Sequence, residues 1–150
     1  MKFEKEITVE VDVTLNELKL FLENKGFKIK EEYDLNDIYM INKNDKVCNN
    51  YLELFEALNF EELISIRDHM LVYSNGIDEF VVQSANNKHI YIEIEEKCNY
   101  TEKFYQTIDE MKEVIKKYNI PIKDENYFAK KSEIKYAKSL GKKVNYLENK

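Results

Sequence analysis

Apolar and polar residues alternate with a period of two near the start of the chain and again around position 90. In the first stretch Phe3, Ile7, Val9, Val11 and Val13 interleave with Glu4, Glu6, Thr8, Glu10 and Asp12; in the second Ile90, Ile92 and Ile94 interleave with Tyr91, Glu93, Glu95 and Lys97. That period predicts two strands, each with one apolar face. After the first, Thr14 and Glu17 make a capping box, and Leu15, Leu18, Phe21 and Leu22 carry a helical stripe to Lys25, where Gly26 supplies a left-handed exit. A strand follows from Phe27, with Asp37–Ile41 as its continuation or partner.

The pattern then recurs. Lys46–Cys48 predicts a short strand, Asn49 or Asn50 an N-cap, and Leu52, Phe55 and Leu58 a helical stripe ending at Asn59. Leu20–Phe27 and Glu53–Phe60 read as one unit used twice, each leading into a strand, the second from Leu63 to Tyr73. Two such βαβ-type halves would face each other in a closed or nearly closed sheet. Ser74-Asn-Gly76 and Asn86-Asn87 are turn signals, so the strands at Leu63–Tyr73, Glu79–Ser84 and Ile90 onward form a meander. A helix is predicted from near Thr101, with Phe104, Ile108, Met111 and Ile115 inward, ending before Pro121, and a last one from Ser132 to Leu140, stopping at Gly141. Residues 1–120 then make one domain, with 121–150 as its helical extension and frayed tail.

Composition narrows the classes. The chain has 150 residues, 35% of them charged, a net charge of -6, and only 3 Gly and 1 Pro. One domain of long regular elements is expected. The negative field disfavours nucleic-acid polymers and anionic membranes. Cys48 and Cys98 are too few for a disulfide framework or a four-ligand zinc site, and no stretch has the roughly 20 apolar residues of a membrane helix, so a cytoplasmic protein is expected. Arg67 is the one arginine among 23 Lys and Arg. His69 and His89 have no His or Cys at ligand spacing, and neither a glycine-rich phosphate loop nor a nucleophile elbow is present.

The carboxylates carry the candidate chemistry. Same-face residues on a strand lie about 6.5 to 7 Å apart, so Glu4 with Glu6, Glu10 with Asp12, and Glu93 with Glu95 repel unless water, a Lys or Arg, or a divalent cation lies between them. A solvated strand face is the plainer reading; a site is the other.

The element order, Ala57–Ile64 running through to Ile90-Tyr-Ile-Glu-Ile-Glu95, the Glu6–Glu10 segment and Asp37-Ile-Tyr39 together resemble the CYTH, or triphosphate-tunnel, family of class IV adenylyl cyclases and thiamine or inorganic triphosphatases. The resemblance spans residues 3–118. It implies an α+β fold, a CYTH-like antiparallel β-barrel or open half-barrel with helices packed outside. It also implies Mg²⁺ or Mn²⁺ held by Glu6, Glu93 and Glu95, with Lys28, Lys30 and Arg67 as the nearest phosphate contacts. The family pattern is degraded in this chain: a metal-ligand position falls on Thr8, a cationic one on Glu10, a basic pair on Asp68 and Met70, and an acidic pair on Gln83 and Ser84. Between Ile41 and Lys46 there is no room for the family's two basic strands. Three functions follow as expectations: binding of a triphosphate or nucleotide with weak or lost turnover, an active metal-dependent triphosphatase or cyclase, or an interaction module whose open sheet edges support homodimerisation.

Overall fold

A computed structural model describes residues 5–42, 47–49, 60–85 and 88–127. They form an α+β fold, an open antiparallel sheet with two helices. The strands are β1 (Glu6–Glu10), β2 (Lys28–Asn42), β3 (Val47–Asn49), β4 (Phe60–Ser74), β5 (Glu79–Ala85) and β6 (His89–Glu95); the helices are α1 (Leu15–Asn24) and α2 (Ile108–Lys117). The sheet order is β1-β6-β5-β4-β2-β3, with every neighbouring pair antiparallel. β4, β5 and β6 are the expected meander. Among the described residues β1 and β3 stand at opposite edges, so the open alternative is seen and barrel closure is not. β2 is one strand whose register with β4 shifts at Lys30 and again between Tyr39 and Met40. The helix expected over Leu52–Leu58, the Asn86-Asn87 turn and the last helix after Ser132 lie outside the described residues.

The apolar alternation buries one face of the sheet. Ile7 and Val9 of β1, Ile92 and Ile94 of β6, Phe80 and Val82 of β5, and Leu71 and Tyr73 of β4 join Leu18 and Leu22 of α1 and Met111, Val114 and Ile115 of α2 in one core. α1 starts at the capping box: Thr14 Oγ1 accepts from the Glu17 N–H at 3.3 Å, and Glu17 accepts from the Thr14 N–H at 2.9 Å. Gly26 leaves the helix at φ +86°, and Phe27 then stacks on Phe80 at 4.8 Å between centroids.

α2 begins later than the apolar stripe suggests. Its N-cap is Thr107, which accepts from the Glu110 N–H, and Phe104 is 49% exposed instead of inward. The reason lies across the sheet. The Glu79 carboxylate is buried and accepts the N–H groups of Asn99 (3.0 and 3.1 Å) and Tyr100 (2.8 Å), and the Tyr105 N–H donates to Glu96 O, which holds 96–105 as a loop.

Asp78, in the β4–β5 turn, ties that loop to α2. Its wholly buried carboxylate accepts from Lys103 Nζ (2.7 Å) and Tyr105 OH (2.8 Å) on one oxygen, and from Lys117 Nζ (3.2 Å) and Tyr118 OH (2.6 Å) on the other. Burial alone would raise its pKa, but the bonds from Lys103, Tyr118, Tyr105 and Lys117 prevail and hold it at about 2.

Candidate functional site

The face of the sheet opposite the helices carries the polar half of each alternation. Cross-strand partners share a face, so the register can be followed across it. Glu6 of β1 lies opposite Glu95 of β6, and Thr8 opposite Glu93. Glu93 then faces Val81 of β5, Val81 faces Val72 of β4, and Val72 faces Glu31 of β2. One row further along, Tyr91, Gln83, Met70 and Tyr33 follow in the same order. Met70, Val72 and Val81 form a small apolar cluster at the centre.

Burial raises the pKa of Tyr33, and the charges of Glu31, Glu95 and Glu93 raise it further. Tyr100, in the loop after β6, also reaches across to donate its hydroxyl to Glu31 on β2. That bond, followed by burial and the Glu31 and Glu79 charges, pushes the Tyr100 phenol up to about 12.

The centre of this face is buried while its margins, with Glu31 and Tyr33, are exposed, which corrects the plainer reading for Thr8, Gln83 and Glu93 only. Thr8 is 1% exposed, Glu93 5% and Gln83 0%, and Asp68 is also fully buried. The Thr8 hydroxyl and both ends of the Gln83 amide have no hydrogen-bond partner. Such a group costs about 1–3 kcal/mol of stability. Two phenols on the helix side, Tyr73 and Tyr127, are buried without partners as well, and burial, ahead of Glu23 and Glu32, pushes the Tyr73 phenol up to about 12.

The expected metal ligands are therefore brought onto one face. Glu6 and Glu95 are cross-strand partners and Glu93 is two residues along β6. Among the described residues, no three His, Cys, Asp or Glu side chains converge to hold a metal ion. The expected phosphate contacts are not brought together. Lys28 is exposed beside Ser74 at the β2 end, Lys30 is exposed at the bulge, and Arg67, paired with Asn36, shares the face of His69 and Leu71. The pleat thus puts Arg67 on the side away from the glutamates, with Asp68 and Met70 on their side.

On that other side His69 is not a lone histidine. Its Nδ1 lies 2.6 Å from Asp34 and its Nε2 2.7 Å from Glu32, so the ring donates to both only as the imidazolium. The Asp34 bond raises its pKa; burial opposes this, while the Glu32 bond and both carboxylate charges add to it. His89 sits at the rim, its Nδ1 2.9 Å from Glu10, which also accepts from Lys123.

No protein-family model and no curated protein matches the chain. Its fold is similar to that of solved structures from two archaea. With the PH1012 protein from Pyrococcus horikoshii the TM-score is 0.54 at 15% identity, covering 79% of this chain and 94% of that one. With a conserved hypothetical protein from Pyrococcus furiosus it is 0.55 at 14% identity, with the same coverage. At such identities the likeness is one of fold.

Proposed function

We propose that the chain is a CYTH-like domain whose acid-lined sheet face binds a triphosphate-bearing small molecule or nucleotide through Mg²⁺ or Mn²⁺, with weak or lost turnover. The register that sets Glu6 opposite Glu95, with Glu93 beside them, carries this reading. Magnesium characteristically uses one or two carboxylates and fills its shell with water and phosphate oxygens, so a converging trio of protein ligands is not required. Glu6 and Glu95 would hold the ion and Glu93 would add charge beside it. The ion would neutralise the phosphates and polarise a phosphoryl group.

The face as described has carboxylates, Thr8 and Gln83 in place of a row of cations, and Lys28 and Lys30 only at its margin. Phosphate affinity should thus depend on the metal, and the cationic partners that stabilise a phosphoryl-transfer transition state are few. That supports binding without efficient turnover.

Thermal unfolding with tripolyphosphate, ATP and thiamine triphosphate, each with and without Mg²⁺ or Mn²⁺, tests the reading. A ligand at 100 times its Kd adds about 2.7 kcal/mol, several degrees for a domain of this size. A metal-dependent shift is expected, and no shift with any triphosphate would refute it. The combined Thr8→Glu and Glu10→Lys substitutions should raise phosphate release if turnover has been lost; an enzyme already active would be impaired by them.

A further inference from the structure

Asn75 precedes Gly76 in the β4–β5 turn, and that dipeptide carries a chemistry of its own. Gly76 has no Cβ to obstruct its backbone nitrogen, which in an Asn-Gly step can attack the neighbouring side-chain amide carbon. In the folded chain each reacting group is held. Asn75 Oδ1 accepts from the Ile77 N–H (3.0 Å) and the Asp78 N–H (2.8 Å), and Asn75 Nδ2 donates to Tyr118 OH (2.9 Å). The Gly76 N–H, whose nitrogen is the nucleophile, donates to Ser74 Oγ at 3.1 Å. Tyr118 in turn donates to Asp78 Oδ2 at 2.6 Å, so the amide is tied to the buried carboxylate that joins this turn to α2. Gly76 and Ile77 are exposed, which gives water access to the turn.

We propose that Asn75 is a deamidation site gated by the fold, closed while Tyr118 and Ser74 hold its groups and reactive when that clasp opens. The Gly76 nitrogen gives its proton to hydroxide and bonds to Asn75 Cγ; the Cγ–Nδ2 bond breaks, and ammonia leaves with a proton from water. Water then opens the resulting succinimide at either ring carbonyl, leaving aspartate or isoaspartate. One water is consumed and one ammonia released. The product cannot rebuild the clasp. Tyr118 has a single hydroxyl proton, so it serves either Asp78 or the new carboxylate, and the phenol oxygen loses the donor it had in Nδ2. Isoaspartate also adds a methylene to the backbone of a turn closed by the Asn75 N–H on Asp78 O at 3.2 Å. A chain that has opened here is thereby marked irreversibly.

Peptide mass spectrometry of the full chain, incubated at mildly alkaline pH, tests this by the rate of mass gain at residue 75. Reaction only from the opened fraction makes the native rate lower, by about tenfold or more, than that of the same chain held unfolded in urea. Tyr118→Phe keeps the ring against Phe27 and Phe80 but removes both hydroxyl bonds, and Ser74→Ala releases the Gly76 N–H; each should raise the native rate about threefold or more. In urea all three chains should react alike, because the clasp is absent there. Circular dichroism checks the fold of each variant, and Ser74→Ala gives the answer if Tyr118→Phe unfolds. Equal rates in the native and unfolded wild type, or native rates unmoved by either substitution, would overturn the gate. Asn75→Asp writes one product into the chain and should lower its melting temperature by several degrees; an unchanged melting temperature would overturn the claim that the clasp cannot reform.

Discussion

Among the described residues, Asp78 and His69 make stability respond to pH with opposite signs. Asp78 is held at about 2 against an ordinary 3.8, so its contribution is complete above the ordinary value and is lost as pH falls through about 2. The displacement corresponds to about 2 kcal/mol once screening at the half-exposed Lys103 and Lys117 is allowed for. Asp78→Asn should destabilise the fold by about 3 kcal/mol in denaturant unfolding at neutral pH and remove the acid limb. His69 acts the other way. Its folded pKa is raised, so its contribution is complete below the ordinary 6.5 and fades as pH rises through the folded value. Melting temperatures of His69→Gln, compared with wild type between pH 5 and 9, should show the larger deficit on the acid side. A uniform deficit would contradict the imidazolium clamp between Asp34 and Glu32. Neither residue announces itself in the sequence, because the partners of Asp78 lie 25 to 40 positions away and those of His69 35 to 37.

Elements were legible where their signals are local. The Thr14–Glu17 box and Gly26 place both ends of α1, the hairpin signal at Ser74-Asn-Gly76 places β5 to within a residue, and the alternation places the start of β6 to within one but runs two residues past its end. Thr14→Ala should cost about 1 kcal/mol in the same unfolding measurement. The start of α2 was not legible, because Phe104 sits one helical turn before Ile108 and extends the apolar stripe into a loop held by Glu79. Alternation has a second blind spot. It shows Thr8, Gln83 and Glu93 as polar, yet cannot tell a face open to water from one that is enclosed. The difference has an energetic signature: Gln83→Met should stabilise the ligand-free chain by about 1 kcal/mol or more, since it removes a buried amide with no partner. If that substitution destabilises the chain, Gln83 serves packing instead of a ligand.

At the scale of the molecule, the acid-lined face is built from β1, β6, β5, β4 and β2, and its charge is what separates the readings of function. The register places Glu6, Glu93 and Glu95 on one face, which sequence spacing alone could not establish for residues more than eighty positions apart. It does not support Arg67 as their partner. The net charge of -6 should slow association with a free triphosphate, and metal should relieve that barrier by neutralising the ligand. The most direct test is calorimetric titration of tripolyphosphate into wild type and Glu95→Gln with saturating Mg²⁺ and again without it. Metal-dependent binding by wild type, weakened about tenfold or more in Glu95→Gln, is the predicted result. Binding that is equal with and without Mg²⁺, or indifferent to the substitution, would contradict the assignment of this face as the ligand site.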